Sequence, residues 1–429
     1  MQSNQPSQVF LVDTNTKPLN PITPRQARKL LEKGKAAVLR RYPFTLILKR
    51  EIENPEMFPL ILKIDPGSKH TGLALLSGDV VIWVAQIEHR GHAISEALTS
   101  RAQSRRSRRG RKTRYRAPRF DNRKRKEGWL PPSLIHRVQT TETWVRRLMR
   151  FCPIAEIWVE RVKFDSQLMQ NENISGVEYQ QGSLMGYSVR EYLLEKWGRE
   201  CAYCGKKNVP LQVEHIVPKS KGGSNRISNL TLACECCNQK KGNKPVEEFL
   251  KKKPKVLEKI KKGAKQSLKD SAAVNATRNK IVEVLSVLRP TKTFTGAQTK
   301  YNRCRLDLAK DHHIDASCVG DVENLIFYAT QPLYIKCTGH GNRQYTNVDK
   351  FGFPCSKPKS KNPYVQGFRT GDIVKAVVTS GKKIGTYIGR VAVRASGSFN
   401  VTTKEGRVQG IGHINFSKLH SVDGYSYSF

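Results

Sequence analysis

The sequence predicts an α/β protein of several domains. A small metal-stapled module interrupts a larger domain of alternating strands and helices, and a small β-rich domain follows. The chain has 429 residues, enough for two to four domains. Apolar strand-like runs alternate with helical stretches along most of it. Two Cys-x-x-Cys pairs lie close together near the middle, and beyond Thr370 short alternating runs are separated by glycine turns.

The first unit, residues 8–50, is predicted to be a small mixed fold followed by a linker over residues 51–57. Thr23 to Lys33 has the pattern of a helix, with Thr23 as its cap and Pro24 in its first turn. The predicted strands are Val9 to Val12, Ala36 to Arg40 and Phe44 to Leu48.

The middle of the chain alternates strands and helices, and residues 163–185 are polar and loop-like. The predicted strands are Pro59 to Ile64, Thr71 to Leu76, Val80 to Ala85 and Ile154 to Val159. The predicted helices are Ser95 to Tyr115, Leu134 to Phe151, Tyr187 to Trp197, several within residues 245–289, and Leu306 to Val319. The tail beyond Thr370 predicts a small β-barrel.

The charge indicates a polyanionic partner. The formal net charge is +40, and the Lys and Arg residues are concentrated in Arg101 to Lys126 and Lys251 to Lys262. The first basic run is predicted to form a helix with arginines on every face, which has no face to bury in a core. We expect it to lie against nucleic acid, with guanidinium groups on phosphates. The candidate contacts are Arg101, Arg105, Arg106, Arg108, Arg109, Arg111, Arg114 and Arg116.

The paired cysteines predict a structural zinc site. Four thiolates presented by two Cys-x-x-Cys turns suit tetrahedral Zn²⁺, and a segment of about forty residues needs such a staple to fold. Cys201, Cys204, Cys234 and Cys237 are the expected ligands, with Cys236 in place of Cys237 as the competing assignment. The other cysteines are expected to be reduced.

A hydrolytic site is expected inside this module. A neutral His215 can take a proton from water, and Glu214 and Asn238 offer oxygen ligands for one Mg²⁺. Asn229 is expected to orient His215 or the loop. Together, these residues and their spacing resemble the HNH endonuclease module. A zinc knuckle without catalysis is the alternative, although it would not need the Glu-His pair and the asparagines.

A second site is expected from residues far apart in the chain. Asp65 and Glu160 each end an apolar strand, and His312 and Asp315 are three residues apart on one helix face. Three carboxylates and a histidine can hold two Mg²⁺ ions, which clamp the attacking water and the leaving oxygen of a phosphodiester. His313 is expected to be a packing or solvent residue. In this order the residues resemble the three split segments of a RuvC-like nuclease with a ribonuclease H fold.

The whole order of segments resembles the IscB family of transposon-associated, RNA-guided nucleases. The run Arg106-Ser107-Arg108-Arg109-Gly110 is similar to the family's bridge helix. Pro18-Leu19-Asn20-Pro21 resembles its N-terminal signature, with Asn20 in place of Met. Residues 341–344 and 352–354 are similar to the family's C-terminal part, which is expected to read the motif that flanks the target.

The resemblance implies the following domain boundaries: residues 1–52, an accessory domain; 53–94, 129–186 and 251–330, the three RuvC-like segments; 95–128, the Arg-rich bridge helix; 187–250, the zinc-stapled ββα-metal HNH domain; and 331–429, a C-terminal domain that contacts RNA and the flanking motif. It also implies a monomer bound to a guide RNA and double-stranded target DNA. The HNH site would cut the guide-paired strand, and the RuvC-like site the displaced strand.

Two other functions stay open on the sequence. One is an RNA-guided DNA-binding protein that represses without cleavage, and the other is an RNA-independent nuclease of the HNH or RuvC type. The polar start of the chain and the absence of an apolar run of eighteen residues exclude a signal segment and a membrane span, so a prokaryotic cytosolic location is expected.

Overall fold

The computed structural model describes residues 7–111, 113, 115, 126–161, 187–264, 269–339, 346–350, 353–356 and 363–429. Four features expected from the sequence lie wholly or partly outside these ranges: the loop over residues 163–185, Arg114 and Arg116, residues 341–344, and Gly352.

The N-terminal unit is a four-stranded sheet with one helix. Its elements are β1 (Val9–Val12), β2 (Pro18–Ile22), α1 (Pro24–Glu32), β3 (Ala36–Arg40) and β4 (Thr45–Leu48), and the strand order is β2-β1-β4-β3. Thr23 closes a capping box with Gln26, which confirms the predicted start of the helix. Strand β2 was not predicted, because two prolines argue against a strand except at a sheet edge.

The next segment supplies a three-stranded antiparallel meander, two helices and a further strand. They are β5 (Leu60–Pro66), β6 (His70–Ser77), β7 (Val80–Glu88), α2 (Gly91–Gly110), α3 (Pro132–Met149) and β8 (Ile154–Glu160). All were predicted, with ends that differ by a few residues. Helix α2 begins four residues before the expected Ser95 and ends at Gly110 rather than Tyr115, and it buries none of its residues, as its arginine-rich sequence requires.

The metal-stapled module is a two-stranded antiparallel hairpin surrounded by helices. Its elements are α4 (Tyr187–Lys196), β9 (Leu211–His215), β10 (Leu230–Cys234), α5 (Glu235–Lys241), α6 (Val246–Phe249), α7 (Pro254–Ala264) and α8 (Lys269–Ser286). Ile260 on α7 and Val274 on α8 are buried in the module's core, so this core extends beyond the expected boundary at residue 250. Ile281 and Leu285, further along α8, are buried in the main core instead.

The following segment departs from the sequence prediction. It contains β11 (Thr291–Phe294), α9 (Gly296–Arg305), α10 (His312–Ser317), β12 (Ile326–Phe327) and β13 (Leu333–Cys337). Of the helix predicted from Leu306 to Val319, only α10 is helical, and it carries His312, His313 and Asp315 as expected. Asp307 has a left-handed backbone with φ 49°, and the Asp311 side chain caps α10, so a short break separates two helices.

The C-terminal part is a five-stranded antiparallel sheet preceded by a small hairpin. Its strands are β14 (Tyr364–Val365), β15 (Phe368–Arg369), β16 (Ile373–Val378), β17 (Gly385–Ala392), β18 (Ser398–Thr402), β19 (Arg407–Gly412), β20 (Phe416–His420) and β21 (Tyr425–Ser428). The sheet order is β19-β18-β17-β16-β20, and among the described residues no pairing joins β19 to β20 to close the predicted barrel.

The central sheet joins segments from the whole chain. Its order is β11-β8-β5-β6-β7-β13-β21, with β12 also paired to β7. Strands β8 and β11 run parallel to β5 and to each other, and β13 runs parallel to β7. Strands β13 and β21 therefore belong to this sheet, although the sequence placed them in the C-terminal domain. Helices α3 and α8 pack on one face around Trp144, which is fully buried.

Candidate functional site

The four expected zinc ligands converge in the structure. Cys201 and Cys204 precede β9, Cys234 ends β10, and Cys237 lies in the first turn of α5. Their sulfur atoms all lie within 4.8 Å of one another, and those of Cys204 and Cys234 are 3.7 Å apart. Cys236 is exposed and outside this group, so the geometry favours Cys237 over Cys236. Four convergent thiols are the donor set that structural Zn²⁺ takes, so the residues present fit this ion.

His215 ends β9 beside the loop that joins the two strands of the hairpin. Its Nε2 lies 2.9 Å from Oδ1 of Asn225 in that loop, and the imidazole is partly exposed. An amide oxygen on one ring nitrogen fixes the orientation of the ring. Asn225 was not singled out in the sequence, where it lies in a Gly-Gly-Ser-Asn turn that is also typical of a simple loop.

Glu214 has a different environment from its neighbour. Its Oε1 accepts a hydrogen bond of 2.6 Å from Nζ of Lys241 on α5, and the same ammonium donates to the His215 carbonyl at 2.8 Å. The Lys241 side chain is fully buried. A buried ammonium needs a paired carboxylate, so Lys241 fixes Glu214 and the end of β9 against α5. The motif spacing in the sequence does not single out Lys241, although this residue follows Asn238 by three positions on the same helix face.

Asn229 and Asn238 make different contacts: the first holds a loop, and the second bonds a side chain of β9. The Asn229 side chain accepts from the Val217 backbone N–H at 2.9 Å and donates to the carbonyls of Val217 and Ser224 at 3.0 and 2.8 Å. Asn229 is therefore a residue that holds the loop beside His215. Asn238 donates from Nδ2 to Oε1 of Gln212 on β9 at 2.6 Å.

The second centre forms where β5 and β8 end beside α10. His312 Nδ1 lies 3.3 Å from Asp65 Oδ2, so residues 247 positions apart are in contact. Ile64 is paired with Val159 in the parallel ladder, which places Asp65 next to Glu160. Asp65, Glu160, His312 and Asp315 are all at least nine-tenths buried.

A glycine permits this arrangement. A Cβ atom added at Gly72 on β6 would lie 1.8 Å from the carbonyl oxygen of His312. Only glycine therefore lets α10 approach the sheet closely enough for His312 to reach Asp65.

Asp315 is surrounded by positive charge. Arg303 Nε lies 2.9 Å from its Oδ1, and a nitrogen of Arg199 lies 3.8 Å from its Oδ2. Burial raises the pKa of Asp315, with a further contribution from Asp65, while Lys310, Arg199 and Arg303 oppose the shift. Within the described residues no three ligand atoms of this centre lie within 4.8 Å of one another, in contrast to the four thiols.

The His313 side chain is buried, and its Nδ1 lies 3.8 Å from Asp311 Oδ2. No contact with Asp65, Glu160 or Asp315 is recorded for it among the described residues.

A basic cleft of 1020 Å³ opens beside the second centre, between the central sheet and the helices of the zinc-stapled module. His312 and Asp311 line it on one side. The cationic residues in its lining are Lys69, Lys196, Arg199, Lys207, Lys259, Lys262 and Lys310. Most of these lie outside the basic runs that the sequence emphasised, so only the fold shows that they share one cleft. A lining of this charge suits a phosphate backbone.

The arginine-rich helix presents its side chains to solvent. Arg101, Arg105, Arg106, Arg108 and Arg111 are exposed, and Arg109 is half-buried. The Arg101 guanidinium bonds the carbonyl of Ala97 on its own helix, and that of Arg111 bonds the carbonyl of Lys350. Arg114 and Arg116 lie outside the described residues.

Two protein-family models match the chain. Residues 9–182 match the family described as RRXRR protein, and the run Arg105-Arg106-Ser107-Arg108-Arg109 on α2 has that pattern. Residues 201–254 match the family described as HNH endonuclease. The second match covers the four cysteines, His215 and Lys241.

A curated protein and several solved structures also match parts of the chain. The CRISPR-associated endonuclease Cas9 of Actinomyces naeslundii is 41% identical over 70 residues, which are 16% of this chain and 6% of that protein. The crystal structure of this Type II-C enzyme matches at 18% identity and a TM-score of 0.17, over 43% of this chain and 26% of the other. Streptococcus thermophilus Cas9 in complex with the GGAA PAM matches at 12% identity and a TM-score of 0.20, over 61% and 32%.

The chain thus spans at most a third of the length of these relatives. TM-scores this low do not identify a shared overall fold. The sequence matches relate the chain to Cas9-type and HNH-type nucleases. In the part of the chain that the structure describes, no helix is both long and apolar enough to cross a membrane.

Proposed function

We propose that this protein is an RNA-guided, Mg²⁺-dependent DNA endonuclease of the IscB kind, with two catalytic centres that each cut one strand. The observation that carries the proposal is the presence of two separate clusters of hydrolytic residues on one chain, next to a basic cleft and an exposed arginine-rich helix. A repressor would need the basic surfaces but neither cluster.

The central sheet supports a RuvC-like assignment for the second centre. The order β7-β6-β5-β8-β11, with an antiparallel meander followed by two parallel strands, is typical of a ribonuclease H fold. Its acidic residues come from β5, β8 and α10, which are the first, second and third of the expected segments.

The residues of this second centre fit divalent cations. Asp65 and Asp315 are buried carboxylates. Burial and the charge of Asp65 raise the pKa of Asp315, while Arg303 and Arg199 lie against it and oppose this shift. Buried carboxylate oxygens need a nearby positive charge, and Mg²⁺ prefers oxygen ligands of this kind. Asp65, Glu160 and Asp315 would hold the ions, which stabilise negative charge on the phosphodiester during cleavage. His312 would orient Asp65 and accept a proton from the attacking water.

In the HNH-like centre, His215 would accept the proton of the attacking water, with Asn225 fixing its ring. Glu214 and Asn238 would supply the oxygen ligands of one Mg²⁺, and the contacts with Lys241 and Gln212 would hold the two side chains in place. Asn229 would keep the loop closed over β9. The four cysteines would bind Zn²⁺ and carry no part of the reaction.

The arginines of α2 would contact the guide RNA, and the basic cleft would receive the displaced DNA strand close to Asp65 and His312. The C-terminal sheet would contact RNA and the flanking motif. The protein would act as a monomer in a ribonucleoprotein in the prokaryotic cytosol.

A strand-specific cleavage assay tests the proposal. The RNA that copurifies with the protein is sequenced, a matching duplex is labelled on each strand, and cleavage is followed with and without Mg²⁺. Loss of a general base or of a metal ligand lowers a rate by about 10² or more. His215→Ala should therefore nick only the displaced strand, and Asp65→Ala only the guide-paired strand.

Asp79→Ala serves as a control, because this residue lies in the turn between β6 and β7, away from both centres, and should leave double-strand cleavage intact. The two-centre assignment fails if His215→Ala or Asp65→Ala still cuts both strands. Binding without cleavage by the unmodified protein would favour a repressor, and cleavage that persists after all RNA is removed would favour an RNA-independent nuclease.

A further inference from the structure

Three potential metal ligands meet at the root of the arginine-rich helix, outside both catalytic centres. His89 directly follows β7, His136 lies in α3, and Cys337 ends β13. One ligand atom from each lies within 4.8 Å of the other two. These residues, here called the His-His-Cys cluster, are separated widely in sequence, and the parallel pairing of Lys336 with Glu88 brings His89 and Cys337 side by side.

We propose that the His-His-Cys cluster is a second zinc-type site, which binds one Zn²⁺ or a similar borderline-soft dication independently of the four-cysteine site. Two imidazoles and a thiolate are the ligand types such ions take, and a water molecule would complete a tetrahedral set.

The hydrogen bonds of His89 provide an independent reason to expect a metal ion at the His-His-Cys cluster. Its Nε2 lies 2.8 Å from the Thr71 hydroxyl, while its Nδ1 is buried and has no hydrogen-bond partner among the described residues. The side chain is 93% buried, since only 7% is exposed. A buried nitrogen without a hydrogen-bond partner is destabilising, and a bound ion would supply the partner that Nδ1 lacks. Metal-binding histidines characteristically use one nitrogen for the ion and the other for a hydrogen bond.

Burial raises the pKa of the Cys337 thiol to about 11, and hydrogen bonding from Thr140 and the positive charge of Arg90 oppose this shift. A coordinated dication deprotonates a thiol, so the ion itself would supply the thiolate. Because arginine also lies close to His136, a dication needs the negative charge of the thiolate to bind here. Cys337 should therefore matter more for affinity than His136.

The position gives the metal a structural role. Helix α2 begins two residues after His89, so an ion at this point would tie the ends of β7 and β13 to α3, next to the start of the arginine-rich helix. It would fix the direction of α2 relative to the sheet without taking part in cleavage.

Zinc content and Co²⁺ spectra of the full-length protein test the proposal. The unmodified chain should contain two equivalents of zinc, and Cys337→Ser, His136→Asn and Cys204→Ser one each. The double variant Cys204→Ser with Cys337→Ser should contain none. The exposed Cys236 gives a control, because Cys236→Ser should retain both equivalents.

Cobalt distinguishes the two sites even if a variant is poorly folded. After metal removal, Co²⁺ added to Cys204→Ser should give the absorption of a centre with one thiolate, which is weaker in charge transfer than that of the four-thiolate centre remaining in Cys337→Ser. One equivalent of zinc in the unmodified protein, or a second equivalent that survives both Cys337→Ser and His136→Asn, would overturn the proposal.

Discussion

The two candidate catalytic centres are built in opposite ways. The HNH-like centre comes from about forty consecutive residues around one hairpin, and four thiols at its base replace the large core that so short a segment lacks. The RuvC-like centre takes Asp65, Glu160 and Asp315 from three distant segments, and an extensive buried core aligns them. Local spacing therefore determines the first centre, whereas tertiary packing determines the second.

The two units nevertheless share one helix. Val274 of α8 is buried in the zinc-stapled module, and Ile281 and Leu285 of the same helix are buried in the main core. Arg199, at the start of the module, also reaches Asp315 of the other centre. A change in the position of the module would therefore move Arg199 and α8 and alter the surroundings of Asp315 in the RuvC-like centre.

Removal of the zinc ligand Cys204 should separate the two centres most strongly, because it should affect the HNH-like centre far more than the RuvC-like centre. Structural zinc contributes about 10–16 kcal/mol to the folding of small zinc domains. Cys204→Ser should lose one equivalent of zinc, unfold the module and abolish cutting of the guide-paired strand. The displaced strand should still be cut, but more slowly, because Arg199 and α8 connect the module to the RuvC-like centre. Metal analysis and the strand-specific assay measure this, with Cys236→Ser as the control. Unchanged zinc content in Cys204→Ser would refute the ligand assignment.

Replacing the buried Lys241 should have the next largest effect. Lys241→Met leaves Glu214 without its buried partner, which costs on the order of 3–5 kcal/mol. The module should then melt at a lower temperature and cut the guide-paired strand more slowly. The neighbouring Lys240 is exposed, so Lys240→Met should change stability by less than about 0.5 kcal/mol. Equal melting temperatures for the two variants would show that Lys241 does not anchor the site.

The main domain contains an ion-pair cluster around Asp423. Asp423 Oδ2 lies 2.8 Å from Arg40 of the N-terminal unit and 3.0 Å from Arg147 of α3, and the Tyr427 hydroxyl donates to it at 2.5 Å. Burial raises the pKa of Asp423, but hydrogen bonds from His420 and Tyr427 and the charge of Arg147 outweigh it and lower the pKa to about 2.

A smaller, pH-dependent effect follows for this cluster. The folded pKa lies below the unfolded value of about 3.9, so the contribution to stability is complete above that value and is lost as the pH falls toward 2. Asp423→Asn should cost about 2 kcal/mol at pH 7 and progressively less below pH 5. Denaturant unfolding at pH 7 and pH 3 measures the difference, with Asp79→Asn as the control. A deficit that is the same at both pH values would contradict this explanation.

Much of the fold was readable from local patterns. Thr23 and Pro24 predicted the start of α1, and the arginines on every face of the helix expected from Ser95 to Tyr115 predicted that it has no face to bury, as α2 shows. The helix predicted from Leu306 to Val319 is confirmed only over His312–Ser317, because the left-handed Asp307 and the capping Asp311 prevent it from starting earlier. Two aspartates change the average helix propensity of this segment very little, so the propensity alone does not reveal the break.

The sequence by itself predicted which residues form the four-cysteine site and the centre around His215, because these residues lie on or next to a single hairpin and their spacing in the chain sets their spacing in space. It also indicated a polyanionic partner, since net charge does not depend on the fold. Only the tertiary structure decided that Lys241 anchors Glu214, that Arg303 and Arg199 face Asp315, and that His89, His136 and Cys337 meet. These contacts depend on burial and on strand order, and both arise from packing between segments that are remote in the chain.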